Sequence, residues 1–332
     1  MLFELTRLTS LLGGLGVAAG LTLGASAANA ADVTLRLHHF LPPQANVPKL
    51  VLQKWSDDVA KASDKNIKVR IYPAMQLGGK PPELMDQAKD GIADVVWTVV
   101  GYTPGRFPRT EVFELPFMMS DSEATSRAFW DLYKQEMETT EFKDLKILGT
   151  WVHGPGLIHS SKPVTLPADL AGVKIRGGSR VVNQLLEKLG ATPVGMPVPA
   201  VAEGLSKGVI DATTIPWEVT RALKVPELVK NHTEFGNEAL YTLTFVLAMN
   251  KAKYESMTPE QQKAIDDSSG MEFSAFAGKT QGAADAPARA DAEKLGNNII
   301  TLDDAQVEQW RKASMPIYDE WIANMKSQDI DG

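Results

Sequence analysis

Apolar and polar positions along the chain follow two alternating rhythms. Short runs with a two-residue beat, DVTLRLHHF at 32–40 and IKVRIYP at 67–73, predict strands. Between them, PKLVLQKWSDDVAKAS at 48–63 predicts a helix. Pro81 and Pro82 open a further helix, PPELMDQAKDG, that Gly91 stops, because proline suits a helix start and glycine the position past its end. IADVVWTVV at 92–100 is almost continuously apolar, as a strand buried on both faces should be. Later, Val173 and Ile175 lead into Arg176, Gly177 and Gly178, and Ser179 is placed to cap the stretch SRVVNQLLEKLG. That stretch puts Val181, Val182, Leu185, Leu186 and Leu189 on one face, with Gly190 as its stop. VPAVAEGLSKG predicts another helix that runs into VIDATTIPW, and the alternation as a whole is that of an α/β protein. The tail is read as mostly helical. Thr258-Pro259-Glu260-Gln261 has the form of a capping box, and Asp303 and Asp304 begin a last helix carrying Trp310 and Trp321.

Two segments share a form. AKDGIADVVW at 88–97 and LSKGVIDATTIPW at 205–217 each run helix, glycine, aspartate, strand, tryptophan, so Asp94 matches Asp211 and Trp97 matches Trp217. Either this is the turn that recurs in any α/β chain, or two similar lobes each give one strand and one tryptophan to a shared cleft.

Composition narrows the class. The 332 residues suffice for two ordinary domains, and 44% hydrophobic with 23% charged residues is a globular balance. A net charge of −7 argues against nucleic acid or an anionic membrane as partner, although one basic pocket can lie within an acidic exterior. The absence of cysteine excludes disulfides, thiolate metal sites and a cysteine nucleophile. Residues 11–25 form a small-residue apolar run, shorter than the ~20 residues of a membrane span. Ala28-Asn29-Ala30 then gives an A-x-A cleavage site, so residues 1–30 are read as a cleaved signal peptide and the mature chain as exported to the periplasm.

Enzymatic signatures are missing: there is no P-loop, no G-x-S-x-G elbow and no H-E-x-x-H. His38 and His39 are adjacent on a strand and face opposite ways, so they cannot chelate one metal together. No catalytic residue, no metal and no cofactor is expected. Arg176 is the informative side chain. Ligands of open α/β sheets lie beyond the carboxyl ends of strands, and a guanidinium there can grip a carboxylate through two parallel hydrogen bonds. The Gly177-Gly178 turn admits close backbone approach; the competing reading is a surface arginine at a strand end. Trp55, Trp130, Trp310 and Trp321 fit helix cores, whereas Trp97, Trp151 and Trp217 sit on strands or strand exits where they can line a cleft.

The order PAMQLGG (73–79), DGIADVV (90–96), ELPF (114–117), DLAGVKIR (169–176), LGATPVGMP (189–197) and KGVIDATTIPW (207–217) resembles the DctP-type extracytoplasmic solute-binding proteins of TRAP transporters over essentially the whole mature chain. The resemblance implies a two-lobed, periplasmic-binding-protein-like α/β fold, each lobe a sheet flanked by helices, joined by crossing strands and a long helix. It places lobe I at 31–153 with about 240–252 returning to it, lobe II at 154–239, and C-terminal helices at 253–332 across both. It implies lobes that close on a small carboxylate and deliver it to TRAP membrane permease subunits, with Arg176 as the residue that pairs the carboxylate. The chain is expected to be a monomer.

Three departures bear on the ligand. Many relatives read Q-E-N-P where this chain has Thr213-Thr214-Ile215-Pro216, so Ile215 stands where an asparagine would bond the ligand. A second arginine of relatives that bind polar acids falls on Gly156, and Trp97 and Val99 follow Asp94 where an acid might stand. Apolar groups therefore replace polar ones, and each polar group of a ligand left unpaired on burial would cost about 1–3 kcal/mol. The expected ligand is an aromatic monocarboxylate of the phenylacetate, benzoate or cinnamate kind. Its rivals are aliphatic keto or hydroxy acids, C4-dicarboxylates and, in another class, a secreted enzyme on a two-lobed scaffold. The expected site has Arg176 as clamp, Trp217 and Ile215 as walls, Trp97, Val99 and Tyr102 opposite, and His39 and His153 as partners of a hydroxyl or keto group. Arg106 and Arg180 are further candidates to face the cleft.

Overall fold

The structure is a computed structural model that describes residues 32–332; the signal-peptide expectation lies outside the described residues. Eleven strands are assigned there: β1 Val33–His38, β2 Ile67–Tyr72, β3 Val95–Val99, β4 Leu145–Val152, β5 Leu157–Ser160, β6 Lys174–Gly177, β7 Thr192–Gly195, β8 Ala212–Ile215, β9 Asn231–Glu234, β10 Thr244–Asn250 and β11 Asn298–Thr301. They form two sheets, a five-stranded one in the order β2-β1-β3-β10-β4 and a six-stranded one in the order β11-β9-β5-β8-β6-β7. In the first sheet β2, β1 and β3 are parallel, while β10 runs antiparallel to both β3 and β4. In the second, β8, β6 and β7 are parallel and β5 is antiparallel to β8 and β9. β3 and β10 are buried along their whole length, which accounts for their mostly apolar sequences.

The chain passes between the sheets in neighbouring places. β4 leads into β5 through His153-Gly154-Pro155-Gly156, and β9 returns to β10 through residues 235–243. The two passages are bonded to each other, Gly156 N–H to Tyr241 O at 2.9 Å and Thr242 Oγ1 to His153 O at 2.9 Å. A third connection is the helix Met271–Ala283, followed after one residue by Asp285–Lys294. Its Ser274 accepts from Thr150 N–H of β4, and its neighbour Asp285 accepts from Glu218 N–H beyond β8.

Local signals explain the frame. Ser179 accepts from Val182 N–H and starts Arg180–Lys188, whose buried face is Val181, Val182, Leu185 and Leu186; Gly190 then turns the chain at φ +91°. Thr258 and Gln261 form the reciprocal capping box before Pro259–Asp267. The matching aspartates do the same work. Asp94 accepts from Arg36 N–H at 2.7 Å and Asp211 from Lys174 N–H at 3.1 Å, each tying its segment to the adjacent parallel strand.

Two expectations need correction. The apolar run 92–100 yields a strand only from Val95, because Asp94 is drawn into the bonds with Arg36. Trp310 and Trp321 lie on separate helices, Asp304–Ser314 and Pro316–Lys326, since Pro316 lacks the N–H that would continue the first. The tail is mostly helical, as expected, with one strand: Gly296 turns at φ +73° and the β-branched pair Ile299-Ile300 adds β11 to the edge of β9.

Candidate ligand-binding site

A cavity lies between the two sheets, lined mostly by apolar and aromatic side chains with a few polar ones. The first sheet lines it with rings. Trp97 and Val99 come from β3, Phe245 from β10, Phe40 and Tyr102 from the segments after β1 and β3. These rings pack in register: Phe40 stacks on Trp97 at 4.7 Å, Trp97 on Phe245 at 5.7 Å, and Trp151 lies behind, parallel to Trp97 at 6.3 Å. The second sheet contributes Arg176 from β6, Ile215 and Pro216 at the end of β8, then Glu218 and Val219 from the helix Trp217–Leu223. His153, Tyr241 and Leu243 come from the two passages, and Gln281 from the long helix.

Arg176 stands at the strand end that its sequence suggested, only 1% exposed. Its Nε donates to Met196 O at 2.9 Å and its Nη1 to Thr214 O at 3.0 Å, two neutral carbonyls that fix the plane of the guanidinium. Its Nη2 is buried without a partner. A buried guanidinium without a carboxylate is costly, so the place is built for an anion. Gly178 makes the room: a Cβ there would come within 3.0 Å of Nη2 and 2.6 Å of Leu243. Two phenols stand near the guanidinium. Tyr102 Oη accepts from Val198 N–H at 2.8 Å, leaving its own proton to donate, and the Tyr241 hydroxyl is buried without a partner. Burial raises both phenols, Tyr241 to about 12, with Arg176 acting against the shift, so both remain donors.

The expected residues separate into two groups. Arg176, Trp97, Val99, Tyr102, His153 and Ile215 line the cavity together; Trp217 and His39 do not. Trp217 follows Pro216 and begins a helix, which turns its ring away onto His159 and His232 at 5.0 and 4.8 Å, with its N–H on Glu234. Those histidines form a relay: Asn297 Nδ2 meets His232 Nε2 at 3.0 Å, the two Nδ1 atoms lie 2.8 Å apart, and His159 Nε2 reaches Ile215 O at 3.1 Å. His39 lies behind Trp97 at 5.8 Å, held down to about 3 by burial and by His38. His153 borders the cavity with both nitrogens engaged, Nε2 accepting from Leu243 N–H at 3.1 Å and Nδ1 bonded to Gly154 O. It ties the two passages together, and burial lowers it to about 4. Arg106 and Arg180 do not line the cavity; they pair with Asp86 and Glu111.

Sequence reasoning missed Phe40, Tyr241, Leu243, Phe245, Glu218 and Gln281. Tyr241 explains Gly156: a Cβ at that glycine would lie 2.2 Å from the phenol ring, so the ring takes the space that a side chain there would need. Glu114 is also buried, bonded to Thr244 N–H and hydroxyl, and burial pushes it up to about 7.

Two sheets with a cleft between them and a buried guanidinium at its wall form the frame of a two-lobed periplasmic binding protein. Residues 37–324 match the family model of the bacterial extracellular solute-binding proteins, family 7 (DctP), and the chain belongs to that family, the extracytoplasmic solute receptors of TRAP transporters. It is 47% identical to a TRAP solute-binding protein of Rhodoferax ferrireducens solved with copurified benzoate, with a TM-score of 0.88 over 90% of this chain and 94% of that one. It is 46% identical to a marine metagenome TRAP protein specific for aromatic acid ligands, solved with 3-hydroxybenzoate, with a TM-score of 0.88 over 91% and 95% of the two chains. The C4-dicarboxylate-binding protein DctP of Rhodobacter capsulatus is 23% identical over 96% of each chain.

Proposed function

We propose that this chain is a periplasmic receptor for an aromatic monocarboxylate, which it delivers to the permease subunits of a TRAP transporter. Arg176 takes the carboxylate through its free Nη2, with Tyr102 and Tyr241 as added donors. Trp97, Phe40 and Phe245 hold the ring, and Val99 and Ile215 complete the apolar walls. The observation that carries the reading is the buried guanidinium, unpaired with any carboxylate side chain among the described residues, at one cavity wall opposite a stack of aromatic rings. The aromatic acids bound by the Rhodoferax and marine relatives support it.

In this reading the lobes divide near 31–153 with 240–252 returning, and 154–239, with 253–332 packing across both. The chain acts as a monomer, reaches the periplasm through cleavage after residue 30, and binds its ligand without altering it. The alignment of His153, with both nitrogens bonded to backbone, supports binding over acid–base chemistry. Tryptophan-fluorescence titration of protein refolded free of carried-over ligand tests the reading. Saturable binding of benzoate or phenylacetate at micromolar concentration or below, with the acid recovered unchanged, is expected. Binding of succinate or pyruvate with no response to any aromatic acid would overturn it.

A further inference from the structure

Besides Arg176, the cavity is lined by one other charged type of side chain, Glu218, near the start of the helix Trp217–Leu223. It is only 3% exposed and forms no ion pair among the described residues. Its neighbours are oriented toward it. Trp151 Nε1, which can only donate, bonds Gln281 Oε1 at 2.8 Å and so fixes which way that amide faces. Gln281 Nε2 then donates to Glu218 Oε1 at 2.8 Å, and Asn46 Nδ2 approaches Oε2 at 3.3 Å. The two charged groups hold separate surroundings: the guanidinium acts on Tyr102, Tyr241 and His153, while Glu218 answers to Gln281 and Asn46. Asp285 stands on the far side, accepting Glu218 N–H. Glu218 thus borders the cavity as a buried carboxyl whose position is set by Gln281 and Asn46.

We infer that Glu218, set by Gln281, receives a hydroxyl carried on the ligand's ring and turns away a second carboxylate. The inference rests on the aromatic-acid reading and narrows it to hydroxyl-bearing aromatic monocarboxylates. A hydroxyl both donates and accepts, so it pairs with Glu218 whether the carboxyl is ionised or neutral. Burial pushes Glu218 up to about 7, so both forms are available near neutrality. A second carboxylate on the ligand only accepts and brings a like charge, which an ionised Glu218 repels.

The test is calorimetry at pH 8 with benzoate, the hydroxybenzoate isomers and the benzenedicarboxylates on wild type, Glu218→Leu and Glu218→Gln. One hydroxybenzoate isomer should bind wild type about 10-fold tighter than benzoate, the gain from one hydrogen bond to a charged group. Glu218→Leu should erase that gain. Glu218→Gln, nearly isosteric and the safer variant to fold, should bind a benzenedicarboxylate at least about 10-fold tighter than wild type does, because the like charge is gone. A hydroxyl gain absent from wild type, or unchanged in Glu218→Leu, overturns the inference while leaving the aromatic reading standing. If wild type binds neither benzoate nor any hydroxybenzoate, both fall.

Discussion

The two faces of the cavity are built from unlike material. The first sheet offers a stack of rings, Phe40, Trp97 and Phe245, with the Tyr102 hydroxyl at its edge. The second offers Arg176 and Glu218 on otherwise aliphatic walls. Yet the segments that build these faces begin alike. Asp94 and Asp211 each tie down a neighbouring parallel strand, and the divergence comes after them. Trp97 is three residues past its aspartate, still within β3, and lies in the cavity. Trp217 is six residues past its own, beyond Pro216, and its ring packs away on two histidines. A shared frame thus carries aromatic rings on one side of the cavity and charged groups on the other.

Substitutions can sharpen that contrast. The largest effect belongs to the charged face. Arg176→Met should weaken every carboxylate by about 100-fold or more, since breaking a buried charge pair costs about 3–5 kcal/mol. The same change should leave the ligand-free protein as stable or more so, because it replaces a buried guanidinium that lacks a counter-ion; thermal unfolding reads this directly. On the aromatic face, Trp97→Leu should weaken benzoate by roughly 30-fold, the loss of one aromatic anchor of about 2 kcal/mol. The matching Trp217→Leu should instead lower stability by about 2–4 kcal/mol, as other large-to-small core changes do. Isothermal titration beside urea unfolding separates the two, and equal losses of affinity would break the contrast.

Smaller effects test the frame that holds the faces. Glu114 accepts from the Thr244 N–H and hydroxyl of β10, and its other carboxyl oxygen is buried without a partner. Its pKa is raised from an ordinary 4.5 to about 7 by burial. Its neutral form is therefore the one the fold accommodates: that contribution is full below about pH 4.5 and is lost as pH rises through about 7. Glu114→Gln should gain about 1–3 kcal/mol on wild type between pH 5 and pH 8, measured by urea unfolding at both. Smallest are the two aspartates. Asp94→Asn should cost about 1–2 kcal/mol, for it loses an ion pair with Arg36 as well as a backbone bond. Asp211→Asn, exposed and without that pair, should cost under about 1 kcal/mol.

Features set by neighbours in sequence were legible: the Ser179 cap, the Thr258 box, the glycine stops and Arg176 at a strand end before two glycines. Each depends on a few adjacent residues and on rules of backbone geometry. The aromatic contribution of Trp97 was legible for the same reason, being one step along an apolar strand. Trp217 misled because Pro216 ends the strand, so the two-residue alternation no longer tells which way the next side chain points. Glu218 and Gln281 could not be read at all. They are 63 positions apart, and Gln281 sits in an Ala- and Gly-rich helix with no apolar stripe to orient it. Tyr241 gave no periodic signal either, since it lies in an irregular passage bonded to another passage. Groups brought together by tertiary structure leave little mark on local pattern.

The most direct measurement compares benzoate with its uncharged counterpart benzamide by isothermal titration, on wild type and on Arg176→Met. Wild type should prefer benzoate by about 100-fold or more, and the variant should lose that preference, since a carboxylate pairs its charge with the guanidinium where an amide oxygen only accepts a hydrogen bond. Benzoate bound as tightly by the variant as by wild type would contradict the claim that Arg176 is the clamp.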